Sequence, residues 1–151
     1  MTDVVIRPAV PDDAESIEPL FTELGHPTTA AEFRQRWTAY TADAATNRVL
    51  VAVLADRVVG LVATHVTPTL HRPTGVGRIT VLVVAPDVQG RGVGARLVAE
   101  AEALLRAAGV GRIELTSGTR RMAAHRFYER LGYRQDALRL AKSLDAREGR
   151  A

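Results

Sequence analysis

The stretch from Ile79 to Leu105, ITVLVVAPDVQGRGVGARLVAEAEALL, constrains this chain more than any other part of it. Ile79, Val81, Leu82, Val83 and Val84 make a nearly continuous apolar run, the mark of a strand buried on both faces. Pro86 and Asp87 end it, because proline has no N–H and a fixed φ. Gly90, Gly92 and Gly94 then alternate, so the chain can take unusual φ values and a ligand can approach bare backbone. From Val93 onward, Leu97, Val98, Ala101, Leu104 and Leu105 recur at helical spacing, with Arg96, Glu100 and Arg106 among the polar positions. A glycine loop running into a helix start aims free N–H groups, at the positive end of a helix dipole, into one small volume. That makes an anion site, most often one for phosphate.

Which phosphate site is a separate matter. A Walker loop is excluded, since no Gly-Lys-Ser/Thr follows the glycines. The dinucleotide fingerprint fits loosely as Gly90, Gly92 and Ala95, with Glu114 about 20 residues on, where a ribose-binding acid belongs. That fingerprint opens a doubly wound domain, however, and too little chain follows to complete one. An NAD-dependent reductase therefore stands only as a rival.

Composition narrows the field. A chain of 151 residues, 46% hydrophobic and 25% charged, reads as one ordinary globular domain with a core of its own. We expect that domain over residues 1–144 and a flexible tail over 145–151. With no cysteine, a disulfide framework, a thiolate metal site and a cysteine acyl-enzyme are all ruled out. No apolar run is long enough to span a bilayer and the first residues are not a signal sequence, so the expected location is the cytoplasm. A net charge of +3 suits an anionic cofactor and argues only weakly for nucleic acid.

In chain order, Val4 to Arg7 is a short strand ended by Pro8. Pro11-Asp12-Asp13 starts a helix whose apolar stripe is Ile17, Leu20, Phe21 and Leu24, closed by Gly25. Pro27-Thr28-Thr29 opens a second helix to about Tyr40, with Phe33 and Trp37 four apart; Trp37 is a core or groove-lining anchor. Arg48 to Leu54 and Val58 to Val66 form a hairpin through Ala55-Asp56-Arg57. Pro68, Pro73 and Gly75 break the chain before the central strand. After the glycine-loop helix come a strand from Arg112 to Thr116, a helix from Met122 to Leu131 and a final strand from Ala137 to Leu144. Only the unit from Ile79 to Thr116 must be parallel, being strand, crossover helix, strand. The fold class is thus α/β with a mixed, mostly antiparallel sheet, a parallel β-α-β core and flanking helices.

Gln89-Gly90-Arg91-Gly92-Val93-Gly94 resembles the Gln/Arg-x-x-Gly-x-Gly/Ala loop of the GNAT family of N-acetyltransferases. Ala124 to Tyr133, AHRFYERLGY, is similar to that family's Ala-x-x-Phe-Tyr-x-x-x-Gly-Phe/Tyr helix. The order of elements agrees, and the resemblance covers nearly the whole chain. It implies an acyl-CoA N-acyltransferase fold that takes acetyl-CoA as cosubstrate. It also implies direct transfer to a primary amine in a ternary complex. Backbone groups of Leu82, Val83 and Val84 would then bond pantetheine. Gly90 to Ala95, including Val93 and Gly94, would hold the pyrophosphate, with side-chain contacts from Gln89 and Arg91. Tyr128 matches the family tyrosine near the cofactor sulfur and is the candidate general acid. Arg121 stands where relatives often have asparagine, and it or Arg120 would meet the cofactor or an acidic substrate.

The general base follows less directly. Many relatives carry glutamate two residues before the Leu82 position, where this chain has Thr80, and a hydroxyl is no base. His65 is the substitute, since the unperturbed histidine pKa near ~6.5 suits proton pick-up. A water relay through Thr80 and His65 is the variant of that reading, and His71 faces the substrate side. Glu114, between Ile113 and Leu115, is expected on the opposite face. His125 and Glu129 read as a surface pair, and His26 borders the acceptor groove. No cluster has metal-ligand spacing, so no metal is expected. The acceptor is a small-molecule amine or a peptide, lined by residues 12–40 and 67–78. Nucleic acid and membrane are not expected partners, and the final strand could pair across a homodimer. The alternative from another class is a non-catalytic acyl-CoA-binding or sensing module on the same fold.

Overall fold

A computed structural model describes residues 3–145. These residues form two compact units that divide between Thr116 and Ser117. The first holds β1 (Val5–Pro8), α1 (Ala14–Glu23), α2 (Ala30–Ala42), β2 (Asn47–Leu54), β3 (Arg57–Thr67), β4 (Val76–Val84), α3 (Val93–Ala107) and β5 (Arg112–Leu115). The five strands make one sheet in chain order, antiparallel except for the β4–β5 pair. This is the mixed sheet with a parallel β-α-β core that the sequence predicts.

Two bulges matter later. Opposite Ala52 and Val53, β3 carries one extra residue, Val59. Opposite Ala63 and Thr64, β4 carries one extra residue, Thr80. Each bulge shifts the facing of every residue beyond it relative to the neighbouring strand.

One sheet face receives α3 through the buried stripe Leu97, Val98, Ala101 and Leu105. The approach is close because the strands offer glycine there. A methyl at Gly60 would lie 3.2 Å from Leu97 Cδ1, and one at Gly77 only 2.9 Å from Leu105 Cδ2. Helices α1 and α2 bury Ile17, Leu20, Phe33 and Trp37. Phe21, Phe33 and Trp37 stack in sequence with ring centroids 5.0 and 6.1 Å apart, so Trp37 is a core residue. The start of α2 is capped as its sequence dictates: Thr29 accepts from the Glu32 N–H and Glu32 accepts from the Thr29 N–H. The buried Asp13 accepts both arms of the Arg7 guanidinium, at 2.8 and 2.9 Å, and the Val10 N–H at 2.7 Å.

The second unit contains α4 (Met122–Arg130), close to the predicted helix. The expected strand from Ala137 to Leu144 is not formed: these residues have no regular structure and no strand partner among the described residues. Leu138 and Leu140 alternate as a strand would but stay exposed. Alternation alone cannot make a strand whose backbone groups have no ladder to join. The basis for pairing across a dimer through that strand goes with it. The expected tail over 145–151 lies outside the described residues apart from Asp145. No helix among the described residues is long and apolar enough to cross a membrane.

Candidate active site

The glycine loop is built from the end of β4. A short turn over Pro86–Val88 tucks Val88 into the core, and Gln89 Nε2 donates to the Val84 carbonyl at 3.0 Å. The Gln89 amide is thus a strut of the loop itself. Asp87 pairs with Arg57, whose hydrogen bond, with a smaller contribution from Arg91, holds the Asp87 carboxyl below its ordinary pKa. Gly90 and Gly92 take φ of +81° and +80°, values that L side chains rarely adopt. Gly92 is the N-cap of α3, no side chain caps that end, and the first turn holds no acid. Arg96 N–H already bonds Gly92 O at 3.1 Å, so the N–H groups of Val93, Gly94 and Ala95 are the ones without an intrahelical partner. Nothing lies within 4 Å of the points where a Cβ would stand on Gly90 or Gly92. An open cradle of donors at a helix start fits a diphosphate well, so these residues suit the CoA moiety.

The strand leading to the loop has an open edge. β4 pairs with β5 only over Val76–Ile79, so on that side Thr80 to Val84 have no strand partner among the described residues. Ala85 N–H bonds Val59 O across β3, and alternation turns the backbone groups of Val83 into the same ladder. Leu82 and Val84 therefore present theirs to the open edge, where Gln89 takes the Val84 carbonyl. Of the three residues expected to bond pantetheine, Leu82 and Val84 have the backbone direction for it, while Val83 supplies a core side chain.

On the face opposite α3, the register aligns Asn47, His65, Arg78 and Glu114 across β2, β3, β4 and β5. Asn47 Oδ1 lies 2.6 Å from His65 Nδ1, and Asn47 Nδ2 donates to the Tyr40 carbonyl at 3.0 Å. Arg78 reaches Glu114 Oε1 at 3.3 Å and Thr116 Oγ1 at 3.2 Å, while Glu114 Oε2 accepts from Arg112 at 2.8 Å. The expectation that Glu114 faces away from His65 is corrected: it shares their row, held by two arginines, because β5 joins β4 in parallel with Glu114 beside Arg78. Thr80 is the bulged residue. It is exposed, its hydroxyl donates to Ala63 O at 3.3 Å, and it lies 3.3 Å from the Tyr40 hydroxyl. Tyr40, from the last turn of α2, donates to Thr64 O at 2.6 Å. Burial raises the Tyr40 pKa, against the lowering effect of Thr80. Reading the residues alone misses Asn47, and gives Tyr40 and Arg78 no role beyond ending the two stretches expected to line the acceptor. For Tyr40 a signal existed, since it follows Trp37 by three on one helix face.

In the second unit, Tyr128 is half-buried between Phe127 and Tyr133, at 5.1 and 5.9 Å between ring centroids and in edge-on contact with both. Burial raises its pKa, opposed by the nearby Arg121 charge. Arg121 is the N-cap residue of α4. His125 Nε2 lies 2.7 Å from the Gly118 carbonyl, which can only accept, so the ring steadies that loop rather than pairing with Glu129.

The sequence matches the acetyltransferase (GNAT) family over residues 14–133. It is 35% identical over 140 residues to the aminoalkylphosphonate N-acetyltransferase of Salmonella typhimurium, covering 92% of this chain and 90% of that protein. An acetyltransferase from Trypanosoma brucei superimposes with a TM-score of 0.79 at 25% identity, covering 94% of this chain and 100% of that one. An aminoglycoside N-acetyltransferase in complex with CoA shares the fold at a TM-score of 0.85 and 13% identity, covering 96% of this chain and 97% of that one. With the family match running unbroken from α1 to Tyr133, the chain belongs to the acetyltransferase (GNAT) family and is an acetyl-CoA-dependent N-acetyltransferase.

Proposed function

We propose that the enzyme passes the acetyl group directly to the primary amine of a small acceptor that also carries an anionic group, with His65 as the general base. The observation that carries the base assignment is the shared row: His65 stands on the face of Thr80, across β3–β4 from Arg78 and one residue past the bulge. Acetyl-CoA supplies the acyl thioester. The amine must lose a proton before it attacks, because alkylammonium pKa values lie near ~10, and an imidazole can take it. A backbone N–H on the open edge of β4, from Leu82 or Val84, polarises the thioester carbonyl. Tyr128, a phenol and so protonated at neutral pH, donates to the departing thiolate. Thr80 holds the bulge in place, its proton being engaged by Ala63 O. Gly90, Arg91, Gly92, Val93, Gly94 and Ala95 bind the diphosphate, and Arg121 tunes Tyr128.

The anionic group on the acceptor is supported from two sides. The Salmonella relative acts on aminoalkylphosphonates. Arg78 is partly exposed beside His65 and makes only long bonds, at 3.2 and 3.3 Å, so its guanidinium can turn toward an acid. The test is CoA release with an aminoalkylphosphonate, the matching alkylamine without the phosphonate, and a peptide. The aminoalkylphosphonate should give the highest kcat/KM, and Arg78→Gln should remove that preference. Equal kcat/KM for the plain alkylamine would overturn the acceptor reading. Initial-velocity lines should intersect; parallel lines would overturn direct transfer. His65→Gln should lower kcat by roughly 100-fold or more, and an unchanged kcat would overturn the base.

A further inference from the structure

We infer that Asn47 selects the tautomer of His65, and that the last turn of α2 thereby positions the base. The inference rests on the reading of His65 as base, and it comes from the direction of two hydrogen bonds. The Tyr40 carbonyl can only accept, so the nitrogen lying 3.0 Å from it must be the donating end of the Asn47 amide. The other end, Oδ1, can then only accept, and it lies 2.6 Å from His65 Nδ1. Nδ1 must therefore carry a hydrogen. A neutral imidazole has a single N–H, so Nε2 is left with the lone pair a base needs.

The arrangement is anchored at both ends. Asn47 sits directly across β2–β3 from His65, and its own N–H bonds Asp43 O at 2.8 Å. Tyr40, whose carbonyl orients the amide, is held by its hydroxyl on Thr64 O at 2.6 Å. A shift of α2 would move the Tyr40 carbonyl, the amide and the imidazole together. The groups facing His65 are Asn47 from β2, Arg78 from β4 and Tyr40 from α2, with Glu114 of β5 beyond Arg78. None of these offers a carboxylate bonded to the ring. The amide therefore fixes the tautomer without adding a charge that would favour the imidazolium.

The direct test is 15N NMR of the histidine-labelled full chain at a pH where His65 is neutral, assigned by comparison with His65→Gln. The wild type should show the Nδ1–H form, and Asn47→Ala should show a mixture of both tautomers. An Nε2–H form in the wild type overturns the inference, whatever the variants do. In turnover, Asn47→Ala should lower kcat at least tenfold with the KM for acetyl-CoA unchanged. Asn47→Asp should instead move the acidic limb of the kcat/KM–pH profile to higher pH, by about one unit, because a carboxylate at that place favours the protonated ring. A profile that stays where it is in Asn47→Asp would also overturn the inference. Failure of the base reading looks different: His65→Gln would then turn over normally while the wild-type tautomer remained Nδ1–H.

Discussion

Gly92 is where backbone conformation and ligand access meet, and replacing it separates them. At φ +80° and ψ 7°, it lies in the left-handed region at the N-cap of α3. An alanine there should cost about 1–2 kcal/mol, the usual penalty for a non-glycine residue in that conformation. No steric term adds to this, since nothing lies within 4 Å of the new Cβ. For a chain of this size the penalty corresponds to a drop in Tm of roughly 2–8 °C. Gly92→Asn should lose about half as much, because asparagine visits this region more readily. Cofactor affinity should not follow that ranking. Any side chain at Gly92 projects into the open space beside the free N–H groups of Val93, Gly94 and Ala95, so both variants should bind acetyl-CoA at least tenfold more weakly, about 1.4 kcal/mol. Urea unfolding measures the first quantity and isothermal titration the second. If Gly92→Ala is as stable as the parent, the conformational argument fails. If Gly92→Asn binds acetyl-CoA as tightly as the parent, the loop is not the place that grips it.

Other perturbations test other parts. Gly77→Ala forces a methyl to within 2.9 Å of the buried Leu105 side chain and should destabilise by about 1–3 kcal/mol in urea; a neutral result would mean that α3 is free to back away from β4. Asp13→Ala should cost about 2–3 kcal/mol, less than a fully buried pair because Arg7 is partly exposed. The Arg7 guanidinium depresses the Asp13 pKa, so its contribution is complete above the unfolded carboxylate value of ~3.9 and fades as pH falls through the lower folded value. Acid unfolding of the parent below about pH 4 should therefore be steeper than that of Asp13→Ala, and parallel curves would contradict the assignment. Tyr128→Phe keeps both ring contacts and should lower turnover by roughly 100-fold with acetyl-CoA affinity intact; weakened affinity with unchanged saturating turnover would sink the acid role. Ala55 and Asp56 both hold positive φ in the β2–β3 turn, so Ala55→Asn should raise stability by roughly 0.5–1 kcal/mol, measurable as a higher urea midpoint.

The unit proposed to hold the cofactor, from the end of β4 to the start of α3, was legible from residue order because it is local. The end of β4, the turn at Pro86, the glycines and the start of α3 are consecutive, and the donors belong to the backbone. A run of apolar residues, two helix breakers and an amphipathic repeat suffice to specify such a unit. The Tyr128 helix was readable for the same reason. The strand expected from Ala137 to Leu144 was misread because alternation of Leu138 and Leu140 states a capacity to pair, and pairing needs a neighbour.

The row that carries His65 and Arg78 depends on register, which no local pattern carries. Counting back through β2 and β3 from the turn at Ala55-Asp56 would set Asn47 opposite Thr64; the extra residue at Val59 moves the facing by one and brings His65 there instead. The second bulge, at Thr80, likewise decides that Arg78 faces His65. By itself, the order of residues determined the five strands of the sheet, the helices, the glycine loop at the start of α3 and the residue types available for proton transfer. Only the tertiary structure decided which of them meet, because a one-residue slip in a strand turns every side chain beyond it to the other face, and the packing of whole strands sets that slip.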